Sequence, residues 1–258
     1  MLLVKIPYSL GGLDKPGSEK APDAILKVLK EEVWLSESGR KPFLDVKCVD
    51  VKDKDIAAAM GDICSQLKAF NSGVVVGGDH SVTYAAFKAF ASHYKNPGLV
   101  VFDAHPDCYS EFNFPTHGDW LKALIEEGIV KAENVLVVGL RASTFDENAY
   151  YASKKIKTFP MKKLFNNIEV GCDSLMEMAR FFDGLYVSID IDVVDPAFAP
   201  GTGYVEPAGM SSRELLYFIQ RLKLLKNLKA VDIMEVCPEK DVNGMTVKLA
   251  ARLIAELQ

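Results

Sequence analysis

The sequence predicts an α/β protein, a mainly parallel sheet flanked by helices, with residues 1–258 forming a single domain. Two observations carry this expectation. Short apolar runs alternate with segments of helical period, the pattern of a parallel sheet covered by helices. No internal repeat, low-complexity tract or long linker breaks the alternation. In chain order, the apolar start at 2–6 reads as a strand and 21–32 as a helix, followed by a strand at 46–51 and a helix at 56–69. Three consecutive valines at 74–76 mark the next strand, which a glycine pair separates from a helix at 82–93. The run Leu-Val-Val-Phe at 99–102 is a strand, and Gly128 ends the helix expected at 120–127. A strand at 135–138, a helix at 174–182, a strand at 185–189, a helix at 212–222 and a strand at 230–234 follow. Gly244 then precedes a last helix at 245–256.

Composition narrows the function classes. With 258 residues, 49% hydrophobic and 25% charged, the chain is long enough to bury a large core and too apolar for disorder. A net charge of −5 opposes a nucleic-acid partner, which needs a basic face, and mildly suits a small cationic ligand. No apolar run approaches the roughly 20 residues of a membrane span, so no membrane partner is expected. The start, Met1-Leu2-Leu3-Val4-Lys5, lacks the basic segment and longer apolar stretch of a secretory signal. The five cysteines are odd in number and show no C-x-x-C spacing. A disulfide framework or zinc ribbon is therefore not expected, and a reducing cytoplasmic setting is.

Three short motifs stand at strand ends: Gly77-Gly78-Asp79-His80, Asp103-Ala104-His105-Pro106-Asp107 and Asp190-Ile191-Asp192. Neutral imidazole binds first-row transition metals and carboxylates suit Mn²⁺ and Mg²⁺, so this donor set points to a mixed site with manganese leading. Residues i and i+2 of a strand face the same way, so Asp103 with His105, and Asp190 with Asp192, are expected to present paired donors, with His105 and Asp107 repeating the pattern if the strand persists. Any one such motif is weak, because aspartates at strand ends commonly cap helices or turns. Three in order favour metal. In parallel sheets ligands bind at the carboxyl ends of strands, where these motifs and Glu235 fall. A D-x-D that holds one divalent ion in a nucleotide-sugar transferase is an alternative, but it leaves His80, His105 and Asp107 without a role.

These residues resemble the signatures of the ureohydrolase family, the arginase and agmatinase superfamily. G-G-D-H-S matches at 77–81, D-A-H-x-D at 103–107, S-x-D-x-D-x-x-D-P-x-x-A-P-G at 188–201 and D-x-x-E-V-x-P at 232–238; before Gly77 the likeness is thin. The resemblance implies a three-layer arginase-like fold and two Mn²⁺ ions per subunit. His80, Asp103, Asp107 and Asp190 would hold one ion, and Asp103, His105, Asp190 and Asp192 the other, with Asp103 and Asp190 bridging. It further implies hydrolysis of a guanidino group to urea and an amine, in a homo-oligomer of three or six subunits. Glu235 would pair with the guanidinium, Asp107 would carry a proton, and His117 would shuttle it to solvent.

Around these positions, Asp195 reads as a turn residue, Asp79 as a structural or His80-orienting one, Glu206 as a solvated loop acid with a rim carboxylate as the alternative, and Cys108 and Cys237 as packed thiols. The short segment between Asp107 and His117, with a tyrosine and two phenylalanines, suggests an apolar-walled entrance for an aliphatic amine. Agmatine, giving putrescine, is therefore the expected substrate. Arginine, a formimino compound or a guanidino acid stay open, as does a catalytically silent metal-binding scaffold.

Overall fold

The computed structural model describes residues 1–12, 17–32, 35–51, 55–109 and 115–258. Eight parallel strands form one sheet in the order β2-β1-β3-β8-β7-β4-β5-β6. They are β1 (Leu2–Lys5), β2 (Asp45–Cys48), β3 (Gly73–Val76), β4 (Pro97–Phe102), β5 (Val135–Val138), β6 (Lys157–Phe159), β7 (Gly184–Asp190) and β8 (Leu228–Met234). The helices are α1 (Ala21–Glu31), α2 (Ile56–Gln66), α3 (Ser81–Ala91), α4 (Trp120–Glu126), α5 (Phe145–Lys154), α6 (Met161–Leu164), α7 (Ile168–Ala179), α8 (Ser212–Leu222) and α9 (Met245–Glu256).

Alternation along the strands sorts side chains into two cores, one per sheet face. Leu3, Val74, Val76, Val100 and Phe102 join α1, α7, α8 and α9 on one face. Their sequence neighbours Val4, Val75, Leu99 and Val101 join α2, α3 and α4 on the other. This three-layer arrangement is the one expected.

The expected elements are all present with ends shifted by a few residues, and α7 begins at Ile168 rather than 174. Three elements escape the sequence pattern. β6 is a three-residue edge strand whose Lys157 faces solvent, too short for a periodic signal. The four-residue α6 is too short in the same way. α5 buries only Glu147 and Tyr151, so its apolar stripe is faint; it starts instead from a capping box in which Thr144 and Glu147 satisfy each other's backbone N–H. Among the described residues, no helix is long and apolar enough to cross a membrane.

Candidate metal and catalytic site

The four central strands β3, β8, β7 and β4 deliver the candidate residues. Their ends are level, because Val76 pairs with Ile233, Ile233 with Ile189, and Ile189 with Phe102. The chain thus leaves the sheet at one height four times, and side chains from distant segments meet there. Beyond β4 the strand geometry does not persist as the period-two reading required. Asp107 has φ 47° and Asp192 lies in a single 3₁₀ turn after β7, so turns, not strand alternation, aim these donors. Glu235 also stands in the left-handed region, at φ 62°, a costly conformation for a side chain that clusters at functional sites.

His80, Asp103, Asp107, Asp190 and Asp192 are buried and His105 is half-buried. His80 Nδ1 lies 3.0 Å from Asp107 Oδ2 and 3.2 Å from both Asp103 Oδ2 and Asp190 Oδ2. His105 Nδ1 lies 2.9 Å from Asp192 Oδ2 and 3.5 Å from Asp103 Oδ1. The two oxygens of Asp103 therefore face two different imidazoles. His80, Asp103 and Asp107 form one group able to hold a metal ion and Asp103, His105 and Asp192 a second, sharing Asp103.

The ring orientation of His80 is fixed from behind. Ser188 Oγ donates to Asp232 Oδ1 at 2.7 Å, so its lone pair accepts the Nε2–H of His80 at 2.9 Å. Asp232 also accepts from Thr83 and Tyr186, which anchors the whole relay. A neutral His80 then presents a bare lone pair at Nδ1. Neither Nδ1 nor Asp103 Oδ2 has a hydrogen-bond partner. Four acceptors converge with no hydrogen between them, and such a cluster requires a cation or added protons. The proton affinities say the same: burial, then the Asp192 and Asp103 charges, push the Asp190 carboxyl well up. Burial opposes protonation of His80, yet the carboxylates of Asp103, Asp107 and Asp190 override it and raise its pKa. Attraction to protons and the lack of hydrogen-bond geometry at Nδ1 pull in different directions; the Ser188 bond, which already occupies the ring N–H, favours the bare lone pair. Donor type, burial and convergence all fit divalent metal.

The remaining candidates border one cavity of about 290 Å³, lined by His105, Asp107, His117, Asp190, Asp192 and Glu235 among others. Glu235 Oε1 accepts the backbone N–H of His80 at 2.8 Å and lies 3.7 Å from His117 Nδ1. Burial disfavours charge on His117, but Glu235 outweighs it and raises the pKa. The segment 110–114, from which the apolar entrance was inferred, lies outside the described residues; Tyr109 and Thr116 at its ends line the cavity.

Several neighbours differ from expectation. Glu206 is not simply a solvated acid: it is half-buried with Oε1 3.6 Å from His105 Nε2. A Cβ on Gly78 would stand 1.8 Å from the Tyr8 carbonyl oxygen, and one on Gly77 2.3 Å from the Met234 sulfur, so both glycines of the pair admit neighbouring protein. Asp195 accepts from the N–H groups of Ala197 and Gly209, a turn role as read, and Asp79 accepts from Ser81. Cys108 and Cys237 are buried. Sequence reasoning missed Trp120, whose indole N–H donates to Asp107 Oδ2 at 2.6 Å and whose ring packs 4.6 Å from His80. It also missed Glu147, a cavity residue; the T-x-x-E capping signal at Thr144 was available. Tyr204 sets its ring 5.8 Å from His105 and 5.5 Å from His117.

Residues 1–258 match the family model described as Arginase family. The chain belongs to the arginase family. Among curated relatives of this family member, guanidinopropionase of Pseudomonas aeruginosa is 36% identical, covering 99% of this chain and 84% of the relative. Mitochondrial agmatinase of Gallus gallus is 30% identical over 98% of this chain and 78% of its own length. The solved structure of proclavaminate amidino hydrolase from Streptomyces clavuligerus superimposes with a TM-score of 0.91 at 29% identity, covering 99% of this chain and 89% of that one. These names differ in substrate, so similarity places the chain in the family without choosing among them.

Proposed function

We propose that this arginase-family protein is a dinuclear manganese hydrolase that cleaves a guanidino group to urea and an amine. The observation that carries the reading is the bare His80 Nδ1 facing three carboxylate oxygens at 3.0–3.2 Å, beside a second cluster that shares Asp103. His80, Asp103, Asp107 and Asp190 would hold one ion, and Asp103, His105, Asp190 and Asp192 the other. Bound together, two such ions lower the pKa of a water and supply a nucleophile near neutral pH.

The chain's own groups do the rest. Glu235 pairs with the planar guanidinium and offsets its charge, holding the carbon over the metal ligands. Water adds to that carbon, the bond to the tail nitrogen breaks, and the departing amine takes up a proton. Asp107, held by the Trp120 indole, is placed to pass that proton, and His117 at the cavity wall exchanges it with solvent.

The tail we assign is an aliphatic amine, as in agmatine. Among the described residues, the cavity lining contains Glu147 and Glu235 but no lysine or arginine to meet a carboxylate. Arg141, which follows β5, spends its donors on the carbonyls of Asp192, Val193, Glu206 and Pro207. A guanidino-acid substrate is the second reading, favoured by the 36% identity to guanidinopropionase. Manganese-loaded protein tested for urea release from agmatine, arginine and 3-guanidinopropionate decides: agmatine should give the highest kcat/KM. Fastest release from the guanidino acid would overturn the tail assignment, and no urea from any of them would overturn the hydrolase. A trimer or hexamer belongs to the same proposal, and light scattering on the purified protein tests it.

A further inference from the structure

Helix α5 borders two cavities. Glu147 borders the catalytic one, whereas Asn148, Tyr151 and Lys155 line a second, open to the surface and about 780 Å³ in volume against about 290 Å³. Lys155, Lys157, Lys162 and Arg141 all contribute to the second cavity, and no aspartate or glutamate is among its lining residues. Such a concentration of positive charge runs against a chain whose net charge is −5. Among the described residues, none of these three lysines makes an ion pair, while the adjacent Lys154 is committed to Glu126 at 2.9 Å. The carbonyls at the end of α5 would repel an anion if left open. Two of them are capped: the N–H of Lys155 reaches Ala152 O and that of Ile156 reaches Tyr151 O.

We propose that this cavity binds a small organic polyanion, either a phosphorylated or a polycarboxylate metabolite, at a site separate from the catalytic centre. The lysines supply mobile ammonium groups suited to anionic oxygens, and Asn148 and Thr158 supply neutral donors. The volume falls in the range of metabolite sites, and a single inorganic phosphate would leave most of it unfilled. The position is also close to the chemistry. The Tyr151 hydroxyl donates to the carbonyl of Pro106 at 2.7 Å, between His105 and Asp107, so an occupant resting on α5 touches the same helix that braces that turn.

Calorimetry on the full chain at low salt tests the site with two probes, pyrophosphate and citrate, against wild type and the double variant Lys157→Ala/Lys162→Ala. Both lysines are exposed, so the variant should fold, which an unchanged thermal midpoint would verify. We expect one probe molecule per chain, with affinity at least tenfold weaker in the double variant and falling as salt rises. Binding of pyrophosphate alone assigns phosphate chemistry, and binding of citrate alone assigns polycarboxylate chemistry. Absence of binding by either probe overturns the proposal. A heat that persists unchanged in the double variant, as chelation at the catalytic cluster would produce, overturns it equally.

Discussion

Replacing Ser188 with alanine isolates the element that presents His80 to metal. The hydroxyl accepts from His80 Nε2 and donates to Asp232, and all three side chains are buried. Asp232 keeps Thr83 and Tyr186 as donors, so the imidazole N–H is the group left without a partner. An orphaned buried donor costs roughly 1–3 kcal/mol. At about 2–4 °C per kcal/mol for a chain of this size, the metal-free variant should melt roughly 2–12 °C lower. The imidazole has one escape, which is to move its proton to Nδ1 and face Asp103, Asp107 and Asp190 with an N–H. That tautomer cannot ligate through Nδ1, and loss of such a support typically weakens metal binding about 10–100-fold. Calorimetric titration with Mn²⁺ should therefore show one of two sites weakened by that factor and the His105 site nearly unchanged. Equal affinities in Ser188→Ala and wild type would show that the Ser188–Asp232 relay does not set the ligand state of His80.

Three further outcomes follow from the same geometry. In Glu235→Gln the amide oxygen can still accept the His80 N–H, so both metals should stay bound while kcat/KM for guanidines falls roughly 10–100-fold or more, the worth of a charge-assisted bond; metal loss, read by elemental analysis, would give Glu235 a structural role instead. Without metal, stability should fall as pH rises. His117 titrates above its ordinary value in the fold, because Glu235 outweighs its burial, so its contribution is complete below pH 6.5 and disappears as pH passes through the raised folded value. Asp79 acts in the same direction: burial first, and then Glu235, lift its carboxyl to about 7, so the fold holds an extra proton between pH 4 and 7 and loses stability across that window. The stabilisation gained on adding Mn²⁺ should grow over the same pH range, since protons and metal compete for the cluster; thermal melts with and without metal at pH 6 and 8 measure both trends, and a metal-free midpoint that rises with pH would contradict them. Finally, Gly78→Ala would drive a Cβ into the Tyr8 carbonyl at 1.8 Å, and a loss of about 3 kcal/mol or more in denaturant unfolding is expected; an effect below 0.5 kcal/mol would mean the contact relaxes freely.

The six metal-ligand candidates could be read from the chain because each lies in a short motif after a strong apolar strand, and the parallel sheet aligns those strand ends. What aims them was not readable from strand alternation: the left-handed Asp107 and the turn at Asp192 depend on tertiary contacts such as the Trp120 bond to Asp107. Trp120 carried only a helical-core signal, and its partner lies 13 residues away in the sequence. Glu147 was hidden for a related reason, since α5 exposes most of its length and leaves little hydrophobic period to detect. β6 fell below detection because a three-residue edge strand with an exposed lysine has no alternation to show. Glu206 and Tyr204 took on meaning only once a loop of low hydrophobicity was seen to fold back over His105.

The most direct test is the number of manganese ions held per chain, determined by elemental analysis after equilibration with excess Mn²⁺ and removal of the unbound metal. We expect two in the wild type and at most one in Asp103→Asn, because Asp103 faces both His80 and His105. A wild type that retains one ion or none, or an Asp103→Asn variant that keeps two, would contradict a shared dinuclear centre.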